Sequence, residues 1–137
     1  MTTGIDLIEA DHRRVEALFA QYERDRQALI AGQIFAELTA HDDAESGALY
    51  PLVAQLLGEE MADDALLAHA TVKMLIERAR SLEGGGLDEA MQLLHEQVTA
   101  HVADEEQSLL PQLREAADDA QLAGLAARIE QIKQRVG

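Results

Sequence analysis

Apolar residues recur at three-to-four spacing along nearly the whole chain, the signature of amphipathic helices. A first stripe runs Ile5, Ile8, His12, Val15, Phe19 and Tyr22, which predicts a helix from about Ile5 to Leu29. Thr3 with Asp6 three residues on is a cap for its start, and Ala31-Gly32 is its expected end. A second stripe, Leu38, His41, Glu45, Leu49, Leu52 and Leu56, predicts a helix over about 33–57, kinked at Pro51 and closed by Gly58. Leu66, His69, Val72, Leu75 and Ile76 mark a third over about 61–82, and Gly84-Gly85-Gly86 reads as a flexible turn after it. The fourth starts near Leu87 and carries Met91, Leu94, Val98, His101, Glu105 and Leu109, with Pro111 kinking its end. A last segment, 119–136, has Leu122, Leu125, Ile129, Ile132 and Val136 on one face and Asp118 with Gln121 as a capping box. The expected fold is all-α: an up-down antiparallel four-helix bundle with a short C-terminal fifth helix, one domain over residues 1–137.

Composition agrees with this reading. Aromatic residues make up 3% and β-branched residues are sparse, so little favours a sheet. The formal net charge of −15 repels phosphate and argues against nucleic acid or an anionic membrane as a partner. With no cysteine, disulfides and thiolate metal sites are excluded. No apolar run suggests a leader or a membrane span, so a cytoplasmic location is expected. The glycine run lacks the preceding strand and the Lys-Ser/Thr ending of a phosphate loop.

Each stripe is apolar except at histidine and glutamate, and those exceptions repeat. His41, Glu45, Leu49 and Pro51 match His101, Glu105, Leu109 and Pro111 at an offset of 60, and both prolines of the chain fall in this frame. His12, Val15, Leu18 and Phe19 match His69, Val72, Leu75 and Ile76 at an offset of 57. The chain reads as two helical hairpins, each offering His and then His-x-x-x-Glu. A spacing of four puts the histidine and the glutamate on one helix face, a turn apart. A pseudo-twofold axis then delivers His12, His41, Glu45, His69, His101 and Glu105 to one point in the core. Two imidazoles per ion, with both glutamates bridging, would hold two metal ions. One oxo, hydroxo or water bridge would complete five bonds each and leave an open position. Mixed imidazole and carboxylate donors suit iron or manganese, and zinc sites also use them. A lone histidine on an apolar helix face is usually a hydrogen-bonded core residue; four in two matched frames favour the metal reading.

These motifs resemble the hemerythrin and HHE cation-binding family over about residues 5–115. The resemblance rests on Asp11-His12, on His41-x-x-x-Glu45 with Leu49-Tyr50-Pro51, on His69, and on His101-x-x-x-Glu105-Glu106 with Leu110-Pro111. It implies a bundle holding a non-haem di-iron site, two iron ions with an oxo or hydroxo bridge, ligated by the same six residues. It implies a protein that binds, senses or buffers O2, NO or peroxide. A di-iron enzyme that decomposes peroxide or oxidises a small substrate is the alternative, and a metal-free helical interaction module a further one. Oxygen-carrying members have another histidine four residues after the helix-three one, where this chain has Lys73. That speaks against reversible oxygen carriage.

Other polar residues are read more plainly. His95 lies about 120° round the helix from His101 and is expected at the surface or behind the ligands. Glu16 is expected on a solvated face, with an ion pair to Lys73 as a competing idea. Glu106 is expected behind the ligands or at the surface. Tyr50, five residues past Glu45, is expected to serve packing on another face, and Met61, Met74 and Met91 to fill the core.

Overall fold

A computed structural model describes residues 2–136, with the side chain of Val136 outside the described set. Among these residues all regular structure is helical. The first rod is α1 (Gly4–Asp25). The second is α2 (Ala28–Ala44), a π-helical turn (Glu45–Leu49) and α3 (Tyr50–Leu57). The third is α4 (Glu59–Arg80). The fourth is α5 (Gly84–Asp104), a second π-helical turn (Glu105–Leu109) and α6 (Leu110–Ala116). The fifth helix, α7 (Asp119–Val136), packs on α1 and α2. The result is the four-helix bundle with a fifth helix that the pattern predicts.

The ends follow local chemistry, with two departures from expectation. Thr3 and Asp6 form a reciprocal capping box at α1, as do Asp118 and Gln121 at α7. The break after α1, however, comes before Gly32. Arg26 takes the left-handed conformation at φ 50° and donates its N–H to the Tyr22 carbonyl. Gly32 lies inside α2, which keeps its face continuous from Ile30 through Ile34 to Leu38. The glycine run is no flexible turn either: it opens α5, with only Gly84 at positive φ. Gly58, at φ 106°, does close α3. Met74 is 72% exposed, whereas Met91 is in the core.

The prolines produce a wide turn instead of a simple kink. In an α-helix Pro51 would leave the Gly47 carbonyl without its donor and press its ring against it. The preceding turn widens, so that Tyr50 N–H donates to the Glu45 carbonyl five residues back. Leu110 N–H likewise donates to the Glu105 carbonyl ahead of Pro111. Residues five apart are thereby brought onto one face.

Two apolar clusters fill the bundle. One joins Val15, Phe19, Ile34, Leu38, Met91 and Leu94. The other joins Ile5, Leu49, Val53, Leu110, Leu113 and Ile129. Between them in sequence order along each rod lie the buried polar side chains: Asp11, His12, His41, Asp42, Glu45, His69 and Glu105. The fifth helix closes the second cluster. It comes so near that a Cβ on Gly4 would collide with the Cβ and Cγ of Leu125. Gly4→Ala is expected to destabilise the protein by about 1–3 kcal/mol through overpacking. Denaturant melts of the single variant and of Gly4→Ala with Leu125→Ala check this; the double variant should recover part of the loss.

Candidate metal centre

Four rods each bring one histidine to the same level: His12 from α1, His41 from α2, His69 from α4 and His101 from α5. Glu45 and Glu105 are the first residues of the two π-helical turns. Each glutamate meets the histidine of its own rod and one from the other hairpin. His41 Nε2 lies 3.2 Å from Glu45 Oε2, and His69 Nε2 lies 2.6 Å from Glu45 Oε1. His101 Nε2 lies 3.0 Å from Glu105 Oε2, and His12 Nε2 lies 3.2 Å from Glu105 Oε1. Each carboxylate therefore turns one oxygen to each side. Two donor clusters result, one of His12, His41, Glu45 and Glu105 and one of Glu45, His69, His101 and Glu105, each with its ligand atoms within 4.8 Å of one another. All six residues predicted from the repeat are brought together.

Outer carboxylates fix three of the four rings. His12 Nδ1 is 2.7 Å from Glu106 Oε2, and Arg13 also pairs with Glu106. His41 Nδ1 is 2.9 Å from Asp11 Oδ2. Asp11 also accepts from Lys133 of α7 and from Arg14. His69 Nδ1 abuts Asp42, whose other oxygen is 3.0 Å from Lys73 Nζ. A carboxylate at Nδ1 holds the proton there and aims the Nε2 lone pair inward, the arrangement seen behind metal-bound histidines.

The inward atoms test whether a cation fits. His12 Nε2, His41 Nε2, Glu45 Oε2 and Glu105 Oε1 are buried and lack a hydrogen-bond partner. Their separations are short, but their angles do not make hydrogen bonds. Unpartnered buried polar atoms are costly, and one cation would satisfy all four together. The donor types, two imidazoles and two carboxylates, fit a first-row divalent metal.

Charge is redistributed accordingly. Burial alone would push His41 and His101 down, but the carboxylates of Glu45, Glu105 and, for His41, Asp11 overcome it and raise both to about 10. Burial and the neighbouring charge of His101 push His69 down to about 3. Despite burial, the imidazoles of His101 and His12, close against its two oxygens, hold Glu105 well below the usual carboxylate range.

Several residues stand where the pattern did not put them. Tyr50 does pack in the second apolar cluster, as expected, but not on another face from Glu45. The π-helical turn carries it onto the face of Glu45, and its hydroxyl reaches both glutamates. Asp42 and Lys133 are further members that spacing alone did not single out; Asp42, next to His41 in sequence, faces His69 on the third rod. Glu106 stands behind His12. The competing Glu16–Lys73 pair does not form: Lys73 meets Asp42, and Glu16 meets His95 at 3.1 Å. His95 stacks on Phe19, with centroids 4.3 Å apart, outside both donor clusters. No helix among the described residues is long and apolar enough to cross a membrane.

The family model described as hemerythrin HHE cation-binding domain matches residues 3–113. A protein of Nostoc sp. named DNA nickase is 28% identical over 96% of this chain and 39% of its own length. An uncharacterized hemerythrin-like protein of Schizosaccharomyces pombe is 27% identical over 99% of this chain and 71% of its own. This chain thus spans well under half of the first relative. The crystal structure of a hemerythrin HHE cation-binding domain-containing protein from Mycobacterium kansasii superposes with a TM-score of 0.83. It is 18% identical and covers 98% of this chain and 90% of that one.

Removing metal exposes the charge balance to pH. His41 and His101 have folded values raised from 6.5, so their stabilisation is complete below about pH 6.5 and is lost as pH rises towards about 10. With a chelator present, the urea midpoint is expected to fall steadily from pH 6.5 to 9.5, and a flat profile would contradict these shifts.

Proposed function

The chain belongs to the hemerythrin HHE cation-binding family, and from that footing we propose that it is a non-haem di-iron protein that binds or senses O2, NO or peroxide. His12 and His41 would hold one ion and His69 and His101 the other, with Glu45 and Glu105 bridging. Bound there, two irons would supply reversible redox chemistry towards a small oxidant or radical ligand. Manganese or zinc could occupy the same donors.

The observation that carries the choice of ligand is a cavity of about 30 Å³ against the four histidines. Its remaining wall is Val15, Leu38, Val72, Val98 and Val102, with Asp42 the one carboxylate among them. A water molecule needs roughly 10–15 Å³ of such space. The cavity therefore suits a ligand of about two linked heavy atoms. The apolar wall favours uncharged ligands, because a charged one would lose its hydration. Peroxide also fits, so peroxide decomposition is the second reading. The name of the Nostoc relative raises DNA as a partner; a formal net charge of −15 opposes that.

Protein expressed in iron-replete medium is expected to hold two irons per chain. Asp42→Asn, which weakens the carboxylate behind His69, should lower iron affinity about 10–100-fold. Wild-type protein that reproducibly holds no iron would end this reading. Val98→Phe fills the cavity without touching a donor. It should leave two irons per chain and slow NO binding in stopped flow by roughly tenfold, a barrier of about 1.4 kcal/mol. Unchanged rates would mean that this cavity is not the ligand's site.

A further inference from the structure

Three of the four inner imidazoles are held from behind and one is not. Glu106 stands at Nδ1 of His12, Asp11 at Nδ1 of His41 and Asp42 at Nδ1 of His69. His101 meets Glu105, Glu45 and the Tyr50 hydroxyl, all through Nε2. Among the described residues no carboxylate pairs with its Nδ1. Its side chain is also the most exposed of the four, at 12% against 2%, 9% and 6% for His12, His41 and His69.

The internal repeat accounts for the difference. Asp11 of the first rod backs the ring on the second. At the offset of 57 its counterpart on the third rod, one residue before His69, is Ala68, and that is the position from which the ring on the fourth rod would be backed. A methyl group neither accepts a proton nor carries charge. The other outer carboxylate of the frame, Asp42, has Val102 as its counterpart at the offset of 60, but there Glu106 stands in behind His12. No residue among those described stands in for Ala68.

A carboxylate at Nδ1 makes the Nε2 lone pair a better donor and resists rotation of the ring. His12, His41 and His69 must break two interactions to turn away from an ion, and His101 only one. We propose that His101 is the exchangeable ligand, so that metal enters and leaves at the His69–His101 position while the His12–His41 position keeps its ion. This rests on the di-iron reading and goes beyond it. The step is a ligand exchange: the bond from Nε2 to the metal breaks, a bond from water or a chelator forms, and no electron moves. A protein so built yields one ion to a competing chelator and holds the other.

Wild-type protein loaded anaerobically with iron(II) and mixed with excess bipyridine is expected to release one iron per chain in a fast phase and the second in a slow one. Ala68→Asp supplies the missing carboxylate at a half-buried position. It should slow the fast phase by about tenfold or more and leave the slow phase in place. Ala68→Asn offers an uncharged acceptor instead, and should slow the fast phase less; it makes the same test if circular dichroism shows the aspartate variant unfolded. Asp11→Asn loosens the hold on His41 and should speed the slow phase. Release of both irons from wild type in a single phase, or a fast phase unchanged in the folded Ala68 variants, would overturn the assignment of His101 while leaving the di-iron reading intact. Wild type without iron would remove that reading itself.

Discussion

Two carboxylates in the middle of a four-helix core set the terms for everything around them. Glu45 is 0% exposed and Glu105 2%. A carboxylate so placed is unstable unless positive charge stands beside it. The chain meets this by bringing one histidine from every rod within reach of the pair. The apolar stripes are interrupted at one level only, where the four rods meet. The two flanking clusters supply the hydrophobic burial that a polar slab cannot. Asp11, Asp42 and Glu106 then hold three of the imidazoles from behind, and Lys133, Arg14, Lys73 and Arg13 balance those carboxylates in turn. Charge alternates in shells outward from the two glutamates.

The scaffold is a duplicate, yet its centre is not symmetric. His12 pairs with His69 and His41 with His101 at nearly constant offsets. The outer shell breaks this. Glu106 stands behind His12, while its repeat partner is Ser46. Gly47 lets Ile132 of the fifth helix come close, while its partner is Gln107. Through Lys133 and Asp11 the fifth helix reaches His41. The two halves of one site are thus given different electrostatic surroundings by residues outside the donor set.

The fold and the six inner residues were legible because both depend on periodicity. A stripe of leucine broken by histidine and glutamate at matched positions is visible without coordinates. What periodicity could not show is where its own rule fails. Counting at 3.6 residues per turn puts Tyr50 on a different face from Glu45, and only the wider turn reverses that. Two prolines, each six residues past a glutamate, were the available signal, but proline announces a disturbance without giving its form. Arg26 hid the first break because left-handed caps are expected of glycine, and Gly32 nearby drew the boundary. Asp42 was hidden for a different reason: its partner His69 is distant in sequence, and nothing local marks a contact between rods.

The π-helical turns make the centre sensitive to chain length in a way that its ligands are not. Each turn holds one residue more than an α-helix would in the same span. Removing that residue would wind everything beyond it by about 100°. Glu45 would keep its place, while Tyr50, Val53 and the rest of α3 would swing towards other neighbours. The site is thus stored partly as a residue count, and a lineage that lost one residue there would keep all six inner donors and still be built around a different centre.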